Sequence, residues 1–182
     1  MVLASASPQR RAILERLGVS FTVRPSALSE LSEGDPRHVA LHNAQAKAGA
    51  ALTPGVDELV LGVDTLVTLH GEIYGKPGEE DAARATLRVL SGATHEVLSG
   101  LVLLTHTTTQ TAITATRVTF RELSEPLIDW YLASGEWHGR AGGYAIQGVG
   151  AALVREIEGD YENVVGLPLT SLLDLCPGLL GT

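Results

Sequence analysis

Cysteine is nearly absent from this 182-residue chain: Cys176 stands alone, so no disulfide can form within it. A lone cysteine followed by Pro177 reads as a small core hydrophobe rather than a nucleophile, and a reducing compartment fits. Positive charge is scarce too. Against 21 Asp and Glu there are 13 Lys and Arg, a formal net charge of −8. No basic surface is left to gather the phosphates of a long nucleic acid, so a polymeric DNA or RNA partner is disfavoured. A small anion is not excluded, because a few cations or a bound metal in one cleft reverse the local field. Long apolar runs are missing as well: no stretch reaches the roughly 18 residues of a membrane span. The opening MVLASASPQRR shows no charged leader before a long apolar segment. A soluble, cytoplasmic protein without a membrane partner is expected.

Several familiar signatures are also lacking. GEIYGKP, residues 71–77, has one residue too few between its glycines for a phosphate-binding loop, and Pro77 stands where a magnesium-binding Ser or Thr belongs. Gly148 and Gly150 give a fragment of a dinucleotide fingerprint, but the residues after them read as a strand rather than a helix. His38 and His42 are spaced as a zinc pair without the metalloprotease glutamate or a third ligand, and read as solvated. No serine carries a nucleophile elbow, which leaves a covalent hydrolase unsupported.

What is present is 45% apolar residues with Gly and Pro spread along the chain, enough for one substantial core and one domain, residues 1–182, bilobed at most. A short strand at 2–4 runs into a helix that Ser7 caps, Pro8 opens and Gly18 ends. Asp35 and Pro36 announce a second helix reaching about residue 53. The run LVLGVDTLVTL, 59–69, reads as a central strand with a break near Gly62, turned by His70 and Gly71 into a hairpin partner at 72–74. A helix at 79–90, strands at 95–104 and 110–120, and a helix at 125–132 capped by Ser124 come next. The glycine-rich segment 140–151 reads as a loop before a strand at 153–157 and a last helix after Pro168. Strands and helices mix without strict alternation, which favours an α/β architecture with a mixed central sheet flanked by helices.

The polar residues that stand where strands and helices end are the chemical candidates. Ser5, Ser7, Arg10 and Arg11 surround a helix N-terminus, where free backbone donors, hydroxyls and guanidinium groups together suit a phosphate, or simply cap a surface helix. Asp64, beside Thr65, lies inside the most apolar strand, where a carboxylate is costly unless paired, metal-bound or at an open strand end. Lys47 sits in AQAKAGAA, whose small side chains permit close packing around one long cation. Lys76 is fixed between Gly75 and Pro77, and Glu30 lies in the loop SALSELSEG.

Six segments then carry a resemblance in a fixed order: SASPQRRAILERLG, VLGVDTLV, GEIYGKP, LSGATHEVLSG, RAGGYAIQGVGA and GDYENVVGLPL. Together they resemble the Maf family over nearly the whole chain, residues 3–169. The resemblance implies nucleoside triphosphate pyrophosphatases with an α/β fold similar to the inosine triphosphate pyrophosphatases, two lobes around a nucleotide cleft, and a role in clearing the nucleotide pool. It also suggests a homodimer. Asp64 falls on the family's catalytic acidic position, Glu30 on a second acidic one, and Ser5, Arg10, Lys47 and Lys76 on its phosphate-site residues. Glu30 and Asp64 are hard oxygen ligands suited to Mg²⁺ or Mn²⁺, and Asp64 serves as ligand, base or both.

One position departs from the family pattern: Gln9 stands where the first arginine of S-P-R-R is common. The resemblance links that position to base selection, with Thr65 and Gln147. Threonine and glutamine resemble the branch that cleaves dTTP and UTP. The alternatives are a 7-methyl-GTP pyrophosphatase and a non-catalytic nucleotide-binding regulator of septum formation.

Overall fold

The computed structural model describes residues 1–181. A seven-stranded mixed sheet forms its centre, with helices packed against it. Strands β1 (Val2–Leu3), β2 (Thr22–Val23), β3 (Val60–Leu69), β5 (Thr94–Leu104), β6 (Thr109–Phe120) and β7 (Val154–Glu158) lie in the order β2-β1-β3-β5-β6-β7. Strand β4 (Glu72–Tyr74) pairs with β3 off that path. The β1 pairings are parallel and the others antiparallel. Helices α1 (Pro8–Arg16), α2 (Pro36–Ala51), α3 (Glu80–Leu90), α4 (Glu125–Ala133), α5 (Tyr161–Val165) and α6 (Leu169–Leu175) complete the fold.

One edge of β3 has two different neighbours. β1 pairs with Val60 and Leu61, and β4 pairs with Val67, Thr68 and Leu69. Between them no strand among the described residues covers that edge, while the other edge is paired with β5 from Val60 to Thr68, Asp64 opposite Gly100 and Thr65 opposite Ser99. The sheet therefore opens at the middle of its most buried strand. His70 and Gly71, both at positive φ, make the tight turn that brings β4 back, with the backbone twist a short hairpin requires.

Gly62 does not break β3. The glycine is there because α2 lies directly on the strand: a Cβ at Gly62 would stand 2.2 Å from the Ala44 carbonyl oxygen and 2.9 Å from the Ala48 Cβ. Gly100 in β5 meets the same helix, its Cβ position falling 2.4 Å from the Ala40 carbonyl oxygen. Ala40, Ala44 and Ala48 are fully buried against these glycines, so the alanine-rich sequence of α2 is a packing surface.

The cap signals hold in part. Ser7 and Asp35 accept from the backbone N–H of the third residue of their helices, Arg10 and His38, whereas Ser124 makes no side-chain cap bond. Strand β2 and helix α5 lie outside the sequence expectations, each too short to show periodicity. The glycine-rich 140–151 segment is not plain loop but holds two 3-10 turns, Ala141–Gly143 and Val149–Leu153, with Gly142 and Gly143 both at φ 67°.

Replacing Gly62 with Ala forces α2 away from β3, and overpacking of this kind costs about 1–3 kcal/mol. Gly49, on the exposed side of α2 with nothing near its Cβ position, is the control. Urea unfolding should show Gly62→Ala clearly destabilised and Gly49→Ala unchanged or stabilised by about 0.5–1 kcal/mol. Equal stability of the two variants contradicts the close contact.

Candidate active site

The gap beside β3 opens into a cavity of about 620 Å³, a size suited to a small-molecule ligand. Ten of the residues singled out in the sequence line it: Ser5, Ser7, Gln9, Arg10, Glu30, Lys47, Asp64, Thr65, Lys76 and Gln147; Arg11 does not, and pairs instead with Glu15 on the exposed side of α1 at 2.7 Å. They come from the β1–α1 junction, the loop before α2, α2 itself, the middle of β3, the segment after β4 and the glycine-rich segment.

Asp64 is at the centre and only 4% exposed. One carboxylate oxygen accepts from Lys47 Nζ at 2.6 Å and the other from Asn43 Nδ2 at 2.9 Å. An ionised carboxylate offers about four lone-pair directions, so both oxygens keep room for a further donor. Lys47 reaches Glu30 as well, 2.8 Å from its Oε1, and so joins the two carboxylates. Burial raises the Glu30 pKa, but the hydrogen bond and charge of Lys47, aided by Lys76 and Arg10, outweigh it and hold the carboxyl below its ordinary value.

Asn43 is the residue that sequence reasoning missed here. Its Nδ2 donates to the Leu31 carbonyl as well as to Asp64, and its Oδ1 accepts from the Leu31 N–H, each at 2.9 Å. One buried amide thus anchors the loop carrying Glu30 and orients Asp64. The available signal was its position one helical turn before Lys47 on the alanine face of α2.

Arg10 is buried, and each of its side-chain nitrogens has an acceptor. Nε donates to the Gly166 carbonyl at 2.7 Å, Nη1 to Ser5 Oγ at 2.8 Å and Nη2 to Thr65 Oγ1 at 3.1 Å. Burial pulls its pKa down, opposed by Asp64 and Glu30. Thr65 also shares a hydrogen bond with Ser99 at 2.9 Å, so its hydroxyl positions Arg10 within a closed network. Gln9 accepts from Ser7 Oγ at 3.1 Å at the start of α1. Lys76 and Gln147 are exposed on the cavity wall.

Among the described residues no three His, Cys, Asp or Glu side chains cluster as an all-protein metal cage. Two hard carboxylates sharing one cation, with a cavity in front, nevertheless fit a divalent ion of the Mg²⁺ type, which keeps waters and substrate phosphates in most of its coordination sites.

The model of the Maf-like protein family matches residues 1–178. The chain belongs to the Maf family. It is 45% identical to a dTTP/UTP pyrophosphatase of Pyrococcus furiosus over 96% of this chain and 93% of that protein. A dTTP/UTP pyrophosphatase of Deinococcus radiodurans is 44% identical over 98% and 92% of the two chains, and one of Syntrophus aciditrophicus 44% over 96% and 87%.

In this Maf-family chain the segment bearing Gln147 is pinned to the core at three points. Tyr144 lines the cavity and its hydroxyl shares a hydrogen bond with His95 Nε2 at 2.9 Å; the Ala145 N–H donates to Tyr131 Oη at 3.1 Å; the Gly150 N–H donates to Glu136 at 3.3 Å. His95 is 1% exposed and meets Phe120 edge-on, its ring centroid 4.8 Å away. Burial pushes its pKa from 6.5 down to about 4.

A histidine buried neutral ties stability to pH. Below 6.5 the unfolded chain takes up a proton that the folded chain refuses, so this contribution is complete above pH 6.5 and fades as pH falls towards about 4. At about 1.36 kcal/mol per pH unit the loss across that window is about 3 kcal/mol. His95→Gln leaves Tyr144 a partner without a titrating ring, and urea unfolding between those pH values should lose that part of the slope. An unchanged slope assigns the pH dependence to other groups.

Proposed function

We propose that the protein is a nucleoside triphosphate pyrophosphatase that hydrolyses dTTP and UTP at the bond between the α and β phosphates, leaving the monophosphate and pyrophosphate. The observation that carries this reading is Asp64, a carboxylate in the middle of a buried strand, hydrogen-bonded by Lys47 and Asn43 and facing a cavity that also holds Arg10, Lys76 and Glu30. The names of the relatives from three distant organisms support the same reaction and the same bases.

Asp64 accepts the proton of a water that attacks the α phosphorus in line with the departing pyrophosphate. Lys47 and Asn43 fix the directions of the two carboxylate oxygens. Glu30 and Asp64 would hold a divalent cation, Mg²⁺ or Mn²⁺, which would supply charge neutralisation and lower the pKa of water bound there. Ser5 and Arg10, held together at the start of α1, present the donors and charge that face the phosphate chain, and Lys76 adds a second cation from the segment after β4. Gln147 and Gln9 are the side-chain amides on the cavity wall. An amide carries both a donor and an acceptor, which suits the alternating acceptor and donor edge of uracil or thymine.

Two measurements test this. With Asp64→Asn, pyrophosphate release should fall by about a hundredfold or more while folding survives. In ¹⁸O-labelled water the wild-type protein should place the label in the monophosphate. Near-normal turnover of the variant makes Asp64 structural, and label in orthophosphate means a phosphatase.

Base choice is read from kcat/KM over a panel of nucleotides with Mg²⁺ or Mn²⁺. A polar group left unpaired by the wrong base costs roughly 1–3 kcal/mol, about 5- to 150-fold per contact. UTP and dTTP should therefore exceed ATP and GTP by at least about fivefold, and Gln147→Glu should narrow the difference. If 7-methyl-GTP is the best substrate, Gln9 governs the pocket and the pyrimidine assignment falls.

A further inference from the structure

A bound triphosphate brings about four negative charges into the cavity, yet two of the cations there are already engaged. Each of Arg10's side-chain nitrogens donates to Ser5, Thr65 or Gly166, and Lys47 is tied to both Glu30 and Asp64. Two further cations line the cavity, Lys76 and Arg140.

Arg140 has an unmet donor. Arg88 and Arg117 find carboxylates, at Glu125 and Glu158, and buried Arg10 finds uncharged acceptors. Among the described residues Arg140 makes no ion pair, and its Nε is buried without an acceptor. A buried donor normally has a partner, and one that lacks it at a cavity wall marks a position that a ligand oxygen completes.

The chain beyond Arg140 is laid against the segment that carries Lys76. Gly142 donates its N–H to the Gly75 carbonyl at 3.1 Å, and a Cβ at Gly143 would stand 3.4 Å from Pro77 Cγ. At Gly142 a Cβ would fall 2.8 Å from Val67 Cγ2, so this stretch, at positive φ, lies close against β3. Arg140 and Lys76 therefore belong to adjoining stretches of one wall. A planar guanidinium beside an ammonium suits the terminal oxygens of a phosphate chain.

We propose that Arg140 is a substrate-binding residue which, with Lys76, takes the β and γ phosphates of the nucleotide, the part that leaves as pyrophosphate. This rests on the pyrophosphatase reading for its substrate, but its test does not need turnover. The probe is inorganic pyrophosphate with Mg²⁺, titrated calorimetrically into wild-type protein, Arg140→Gln and Arg140→Lys. Arg140→Gln should weaken pyrophosphate about tenfold or more, as loss of a charge-assisted hydrogen bond does. Arg140→Lys, which keeps the charge without the fork, should fall between. KM for UTP should rise with the pyrophosphate Kd, while inhibition by UMP, which lacks both phosphates, stays unchanged. Wild-type affinity in Arg140→Gln overturns the proposal, as does an equal weakening of UMP, which would mean a disturbed cavity wall. A wild-type protein that binds no pyrophosphate overturns it too. Protein that binds pyrophosphate through Arg140 but cleaves no nucleotide leaves the contact standing and removes the catalytic reading.

Discussion

The site depends on one contact, the backbone of α2 resting on β3 and β5 where Gly62 and Gly100 have no side chains. Packed sheets stand about 10 Å apart because side chains of both layers separate them. Here the alanine face of α2 and the two glycines bring carbonyl oxygens of the helix against the strands. That closeness lets Asn43 and Lys47, residues one turn apart, reach the short side chain of Asp64 from above the sheet. It also answers the energetic problem of a carboxylate in a buried strand, since both of its oxygens find donors and one donor is a cation.

A second constraint acts within the sheet. β3 is covered by β1 at one end and by β4 at the other, and the uncovered stretch between them is where Asp64 lies. Both flanking strands deliver residues to the opening as they leave it, Ser5 to Arg10 after β1 and Lys76 after β4. Carboxylates, hydroxyls and cations from segments far apart in sequence therefore meet without any one segment holding a compact motif. The chain stays acidic as a whole, while Arg10, Lys47, Lys76 and Arg140 meet at this cavity.

Much of this was legible in the chain itself. An aspartate in LVLGVDTLVTL had to be paired, metal-bound or at an open strand end, and the alanines around Lys47 permitted close packing around one long cation; the observed ion pair joins the two residues. Ser7 and Pro8 marked the start of α1 correctly. Gly62 was misjudged because a glycine in a strand can mark a break or a close approach, and only the third dimension tells which. Asn43 was invisible for a similar reason: nothing local separates an amide that points to solvent from one that bridges a loop and a carboxylate. Arg140 shared a glycine-rich segment whose turns, at positive φ, have no hydrophobic period to read. The carbonyl of Gly166, which accepts from Arg10, belongs to the backbone and carries no side-chain signal at all.

The divided edge of β3 also bears on how the chain reaches this state. The pairing with β4 joins positions 67 and 74 across a two-residue turn, whereas the pairing with β1 joins positions 2 and 60. Closing the short loop sacrifices little chain entropy and is a matter of microseconds; closing the long one requires most of the N-terminal third to be in place. One wall of the opening can thus exist while the other is still searching. By loop closure alone the wall bearing Ser5 and Arg10 is the costlier one to bring into place, so nucleotide bound across both walls would act as a clasp on the N-terminal strand.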